Sequence, residues 1–154
     1  IELNIKTVVS LTHMIGRDMV KSGKGKMLHV SSTAGFSPGP KQAVYFASKA
    51  FVTSFSQAID QELRAKGVTS TALCPGGVAT EFFERANLQN TRLGRGKAAF
   101  ATAESCAKFG YDAMMQGKLV AINKKSFSFM VNWITPLLPR RLVLKMIASI
   151  QSEP

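Results

Sequence analysis

The sequence predicts an α/β fold built on a parallel sheet. Three observations carry that prediction. A short apolar run, Met27–Val30, is followed by a long helical pattern over 42–65 and by a second strand-like run, Val68–Leu73. Strand, helix, strand in that order argues for a right-handed crossover between parallel neighbours. Both strands then run into loops of small residues, Ser32–Gly35 and Pro75–Thr80. In such sheets ligands bind beyond the carboxyl ends of the strands, and small residues there let a ligand approach the backbone.

Residues 1 to about 22 read as a helix, with Leu3, Val8, Leu11, Ile15 and Met19 at roughly helical spacing. Ser22-Gly23 is a stop, with Lys21 in the last turn. Asn4 sits where helix propensity disfavours it. His13 has no Cys, His or carboxylate three or four residues away and reads as an ordinary histidine. Gly25-Lys26 reads as a turn before the strand Met27–Val30. Ser37-Pro38-Gly39-Pro40 prolongs the following loop, because its prolines resist helix. The helix from Gln42 to Ala65 takes its apolar surface from Ala47, Ala50, Phe51, Phe55, Ile59 and Leu63, and Gly67 ends it. Glu81–Ala86 is a candidate short helix, and Asn87–Gly96 is polar and expected to be mobile. Thr102 is an N-cap candidate for a helix to about Gln116, with Glu104 and Ser105 in its first turn. Leu119–Ile122 is a candidate strand.

From Lys124 the chain is rich in Phe127, Phe129, Met130, Val131, Trp133, Ile134, Leu137 and Leu138. It turns at Pro139-Arg140-Arg141 and resumes with Leu142, Val143, Leu144, Met146 and Ile147. This predicts an apolar helical hairpin. It either covers a substrate site, packs on a neighbouring subunit, or lies on a membrane surface with its basic residues at the turn. The chain accordingly divides into residues 1–123 and a tail, 124–154.

At 154 residues the chain fits one domain, and it has no apolar run long enough to span a bilayer. The net charge of +11 would suit nucleic acid or an anionic membrane. The cations are scattered, however, apart from the Lys21–Lys26 turn, Lys124-Lys125 and Arg140-Arg141. No arginine-rich helix and no aromatic–basic interleaving appears, so nucleic acid is not an expected partner. The two cysteines, Cys74 and Cys106, imply no disulfide framework and suggest a reduced, cytoplasmic setting. No Cys/His spacing fits a zinc site. The chain opens Ile1-Glu2-Leu3-Asn4 in helix-like sequence, without an initiator Met or a signal peptide, and reads as an N-terminally truncated sequence.

Tyr45 and Lys49 stand four residues apart, on one face of a helix. A free phenol titrates near ~10, and a nearby cation favours its anion. A tyrosine beside a fixed lysine is therefore a candidate proton-transfer pair. Both lie in the first turns of the long helix, on the side where the strands end.

Four features together resemble the short-chain dehydrogenase/reductase family. Tyr45-Phe46-Ala47-Ser48-Lys49 resembles its Tyr-x-x-x-Lys signature, with the favoured Ala-Ser-Lys ending. Ser32 stands 13 residues before Tyr45, with Gly35 completing a Ser-x-x-Gly context similar to that of the catalytic serine. Asn4 stands 28 residues before Ser32 on a helix, like the family's helix asparagine. Pro75-Gly76-Gly77-Val78-Ala79-Thr80 resembles the Pro-Gly-x-Val-x-Thr loop that meets the nicotinamide. The resemblance spans residues 4 to 80. It implies a Rossmann-like doubly wound parallel sheet, represented by its C-terminal part. The family's Gly-rich phosphate loop and Asn-Asn-Ala-Gly segment precede the helix that carries Asn4 and are not in this sequence. The first strand here is accordingly expected to be an edge.

By this resemblance, the chain serves an NAD(P)(H)-dependent oxidoreductase that moves hydride between nicotinamide and a carbonyl or alcohol. Tyr45 would be the general acid in reduction and the general base in oxidation. Lys49 would lower the Tyr45 pKa and hold the nicotinamide ribose. Ser32 would orient the substrate oxygen, and Asn4 would hold a relay water. Pro75, Gly76, Val78 and Thr80 would join Tyr45 and Lys49 in binding the cofactor. The choice of NAD or NADP is made at the end of a strand outside this sequence. Phe82, Phe83 and Phe100, with the apolar tail, point to a hydrophobic ketone or alcohol. The resemblance also implies a homo-oligomer. Two other readings compete: a truncated, non-catalytic remnant acting as an interaction subunit, and a basic module on a membrane surface or nucleic acid.

Overall fold

A computed structural model describes residues 1–86, 88, 90–91 and 100–152, apart from the Phe83 side chain. The chain opens as a π-helical segment, Glu2–Thr7, that continues without a break into α1, Val8–Ser22. Gly23, left-handed at φ 68°, stops it. The stripe of Leu3, Leu11 and Ile15 faces outward rather than into the core. The buried face is Thr12 and Gly16, because α1 crosses the sheet too closely for large side chains. A Cβ on Gly16 would sit 3.1 Å from Met27 Cε.

Strand β1 is Gly25–Val30, two residues longer than expected. Gly25-Lys26 joins it because Gly25 donates to the Gly67 carbonyl at 3.1 Å, which sets a parallel register of Gly25 against Val68. Ser32 then caps a single 3-10 turn, Thr33–Phe36, by accepting from the Ala34 amide at 3.1 Å. Helix α2 runs Ala43–Leu63 and tightens into a 3-10 turn, Arg64–Lys66, before Gly67. A Cβ on Gly35 would lie 2.8 Å from the Lys49 carbonyl, so this glycine lets the Ser32 loop pack on α2.

The buried face of α2 is also not the apolar one expected. It is Ser48, Val52, Thr53, Ser56 and Asp60, while Ala47 is exposed. These polar groups are paired rather than stranded. His29 Nδ1 bonds the hydroxyls of Ser70 (2.9 Å) and Ser56 (3.2 Å), and its Nε2 meets Thr12 Oγ1 at 2.9 Å. Asp60 accepts from the Ser70 amide at 2.8 Å and from Arg64 at 2.9 and 3.0 Å.

Strand β2, Val68–Leu73, has the limits expected. It is followed by β3 (Val78–Ala79), α3 (Phe82–Arg85) and β4 (Ala101–Thr102), which pairs in parallel with β3. The polar stretch expected over 87–96 lies outside the described residues, except Leu88, Asn90 and Thr91. Helix α4, Ala103–Met115, is capped as expected, with Thr102 Oγ1 accepting from the Ser105 amide at 3.1 Å. Strand β5 contracts to Val120–Ala121.

The main sheet is parallel in the order β1-β2-β5. Helices α1 and α2 cover one face through Met27, His29 and Ser70. Helix α4 covers the other, where Leu73, Cys106, Ala113 and Ala121 form an apolar cluster with Leu28 and Phe109. Helices on both faces of a parallel sheet make the doubly wound arrangement. Among the described residues β1 is one edge of this sheet, as expected, and β5 is the other.

The tail is helical on both sides of Pro139. Helix α5 (Lys125–Phe129) runs on through π and 3-10 turns to Leu137, Pro139 breaks the path, and α6 is Arg140–Ile150.

Candidate active site

The sheet delivers its site at the carboxyl ends of β1 and β2. Ser31 donates its amide to the Leu73 carbonyl at 2.7 Å, and Thr33 donates to Pro75 at 2.9 Å. These bonds clamp the serine loop to the Pro-Gly loop. Ser31 Oγ also bonds the Lys49 carbonyl at 2.7 Å, which fixes the first turns of α2 against the same strand end.

On this frame Ser32, Tyr45 and Lys49 converge. The Ser32 side chain faces the Tyr45 side chain closely enough to draw its pKa down. Lys49 Nζ lies 5.9 Å from the centroid of the Tyr45 ring and donates to the Val30 carbonyl at 3.1 Å. Burial pushes the Tyr45 phenol above its ordinary value, and the neighbouring Ser32 hydroxyl pulls it partly back. Burial holds Lys49 below its ordinary value, against a countering pull from nearby Cys74. The expected depression of Tyr45 by Lys49 does not appear. The ammonium faces the ring and a carbonyl, while the hydroxyl answers to burial and to Ser32.

Asn4 reaches the group through an intermediary. Its Nδ2 donates to Ser48 Oγ at 3.0 Å, and Ser48 Oγ donates to the Tyr45 carbonyl at 2.8 Å. The π-helical start of α1 thus aims Asn4 at the backbone of α2; such segments recur at functional sites.

A cleft of about 380 Å³ opens beside Tyr45, lined by Lys41, Gln42, Ala43, Val44, Phe82 and Ala86. The Phe82 ring sits 5.4 Å from that of Tyr45, tilted by 37°. Lys41, at φ 69°, is the one non-glycine residue described in the left-handed region, at the entrance to α2.

In the loop after β2, Gly77 leaves room for the Phe100 ring, which a Cβ would strike. Thr80 Oγ1 accepts from the Phe82 amide at 3.3 Å, and its own hydroxyl proton remains available to donate. The sequence reading missed Asn123, whose Oδ1 accepts from the Gly76 amide at 3.0 Å. Its position directly after the predicted strand 119–122 was the available signal, since strand ends are where these folds place their sites. Ser48 was also missed; it is a small polar residue inside the Tyr45–Lys49 segment.

Parallel strands, helices on both sheet faces and polar side chains gathered at the strand ends define a doubly wound, Rossmann-type protein with its site in the usual crevice. The family is narrower than that class. A family model for short chain dehydrogenases matches residues 1–91, and the chain belongs to the short-chain dehydrogenase family. It is 36% identical over 89 residues to a 3-oxoacyl-[acyl-carrier-protein] reductase of Synechocystis, covering 58% of this chain and 36% of that protein. It is 30% identical over 135 residues to human very-long-chain 3-oxoacyl-CoA reductase, covering 87% of this chain and 42% of that protein. The chain thus spans less than half the length of either relative. The solved structure of a short-chain dehydrogenase from Sphingobium yanoikuyae, in complex with NADPH, superposes with a TM-score of 0.73 at 24% identity, over 82% of this chain and 48% of that one. That likeness establishes the shared fold.

Proposed function

We propose that this chain is the nicotinamide- and substrate-facing part of an NAD(P)(H)-dependent oxidoreductase that interconverts a carbonyl and an alcohol. The observation that carries the reading is the Tyr45 phenol facing Ser32 at the end of β1, beside Lys49 and open to a cleft. Tyr45 passes a proton to the substrate oxygen in reduction and takes it back in oxidation. Ser32 donates to the same oxygen and stabilises its developing charge. Asn4 supports the proton path by holding the first turn of α2 through Ser48.

In the loop after β2 the Gly76 amide is held by Asn123, the Phe127 and Phe100 rings stand where side chains at Gly76 and Gly77 would be, and Thr80 has a hydroxyl proton to give. That hydroxyl is a donor fit for a nicotinamide carboxamide or a neighbouring phosphate. Pro75, Gly76, Val78 and Thr80 would hold that end, with Lys49 on the ribose, and the bound dinucleotide supplies the hydride. NADPH in the Sphingobium protein and the names of the two reductases support this reading.

The cleft walls of Val44, Phe82 and Ala86 suit an apolar ketone or alcohol. The outward stripe of Leu11, Met14 and Ile15 on α1 suits self-association, and the two buried thiols suit the cytoplasm. Tyr45→Phe tests the core of the proposal. Turnover should fall by roughly 10²–10⁴, with dinucleotide affinity nearly unchanged. Near-normal turnover in that variant would sink the assignment. A wild-type protein that neither turns over nor binds NAD(P)(H) would instead favour the non-catalytic interaction subunit.

A further inference from the structure

The segments 125–137 and α6 each carry an apolar stripe that points away from the body. On the segment 125–137, Phe129, Met130, Trp133, Ile134 and Leu137 are exposed at helical spacing, Trp133 by 67% and Leu137 by 84%. On α6, Leu142, Met146 and Ile150 are exposed one turn apart. Val143 is buried, and Leu144 joins Arg140 in lining a cleft against α2. Helix α6 therefore has an inner face and an outer one. Arg141 and Lys145 flank the outer stripe, and neither enters an ion pair among the described residues.

Charge distinguishes this surface from the other exposed apolar stripe. On α1 the stripe is accompanied by ions of both signs, the Glu2–Lys6 and Asp18–Lys21 pairs. Between Asp112 and Glu153 the sequence holds no acidic residue, while Lys118, Lys124, Lys125, Arg140, Arg141 and Lys145 are all basic. A two-fold contact between copies would bring Arg141 and Lys145 against their own equivalents without a counter-ion. An anionic bilayer supplies both an apolar boundary and negative headgroups. Among the described residues, no helix is long and apolar enough to cross a membrane, so the contact lies along the surface.

We propose that the 125–150 segment is a peripheral docking surface for an anionic lipid bilayer. Trp133, Leu137, Leu142 and Met146 enter the headgroup boundary, and Arg141 and Lys145 meet lipid phosphates. The inference does not depend on the proposed chemistry, because it uses no residue of the Tyr45 site.

Trp133 is the single tryptophan of the chain, so its emission reports this surface directly. Vesicles of phosphatidylcholine with about one third phosphatidylserine should float the protein and shift Trp133 emission to the blue. Brominated lipid should quench it, and phosphatidylcholine alone should bind at least about tenfold more weakly. The double variant Arg141→Gln/Lys145→Gln should lose roughly 25-fold in partitioning, about fivefold per cation. Leu137→Asp should abolish the blue shift while leaving circular dichroism unchanged, since Leu137 supports no core. Unchanged emission with no flotation on anionic vesicles overturns the proposal. So does a lipid-independent blue shift that grows with protein concentration, which would assign the face to a second copy.

Discussion

Replacing Asn123 by Ala should loosen the proposed nicotinamide loop without touching the reacting groups. Asn123 Oδ1 accepts the Gly76 amide at 3.0 Å, across 47 residues of sequence. The substitution leaves a half-buried backbone N–H without its partner. A buried donor stranded in this way costs about 1–3 kcal/mol, and partial exposure of Gly76 puts the expectation near the lower half, about 1–2 kcal/mol. At roughly 2–4 °C per kcal/mol for a chain of this size, the melting temperature should drop by about 2–8 °C. Part of that loss is offset, because Asn123 Nδ2 is itself buried with no partner, and the substitution removes it. The local readout is therefore sharper than the global one. Exchange at the Gly76 amide should speed by roughly tenfold, and KM for NAD(P)(H) should rise while kcat changes little. Tyr45→Phe, by contrast, should leave Gly76 exchange unaltered. Unchanged exchange at Gly76 together with unchanged dinucleotide KM in Asn123→Ala would refute the tether.

Other perturbations separate the polar interior from the site. Asp60→Ala strands the Ser70 amide and the Arg64 guanidinium, and should cost about 2–4 kcal/mol in urea unfolding, discounted for the half-exposed arginine. Asp60→Asn should cost less; an alanine cost under about 1 kcal/mol would contradict the role given to Asp60. Burial lowers the pKa of His29, so its stabilising contribution is present above the unfolded value near ~6.5 and is lost as pH falls below it. Melting temperature should decline from about pH 7 to pH 5 in the wild type and flatten in His29→Asn; parallel profiles would exclude His29 as the cause. Because the Tyr45 pKa is raised, reduction rates should be flat across neutral pH, while oxidation rates climb beyond about pH 10. A plateau of oxidation near neutrality would show a depressed phenol instead.

Element order was legible because it rests on periodicity and on chain breakers. Val68–Leu73 matched to the residue, and Thr102 capped its helix, since both signals are local. What faced inward was less legible. Leu11 and Ile15 were read as a stripe, but the fully buried face of α1 is Thr12 and Gly16. Likewise α2 buries Ser48, Thr53, Ser56 and Asp60, because partners far away in sequence satisfy them. Hydropathy cannot see that Ser56 will meet Ser70 and His29. The candidate site follows the same division. The Tyr45–Lys49 spacing is visible within one helix, whereas the bond from Asn123 to Gly76 exists only once β5 lies beside β2.

The Tyr45–Lys49 pair shows why spacing alone did not give the electrostatics. Four residues apart on a helix puts Lys49 beside the Tyr45 ring, and a cation there was expected to favour the phenolate. The ammonium lies 5.9 Å from the ring centroid and spends a hydrogen bond on the Val30 carbonyl. Burial meanwhile penalises the phenolate more than Ser32 supports it, so the pKa rises. A phenol held protonated is a donor, which is what carbonyl reduction asks of it. Oxidation asks for the opposite, and the neighbouring Ser32 hydroxyl is the group that moves Tyr45 in that direction. Ser32→Ala should therefore suppress oxidation more than reduction, by roughly tenfold for each unit of pKa that the lost hydroxyl had supplied. Equal loss in both directions would mean that Ser32 acts on the substrate oxygen alone.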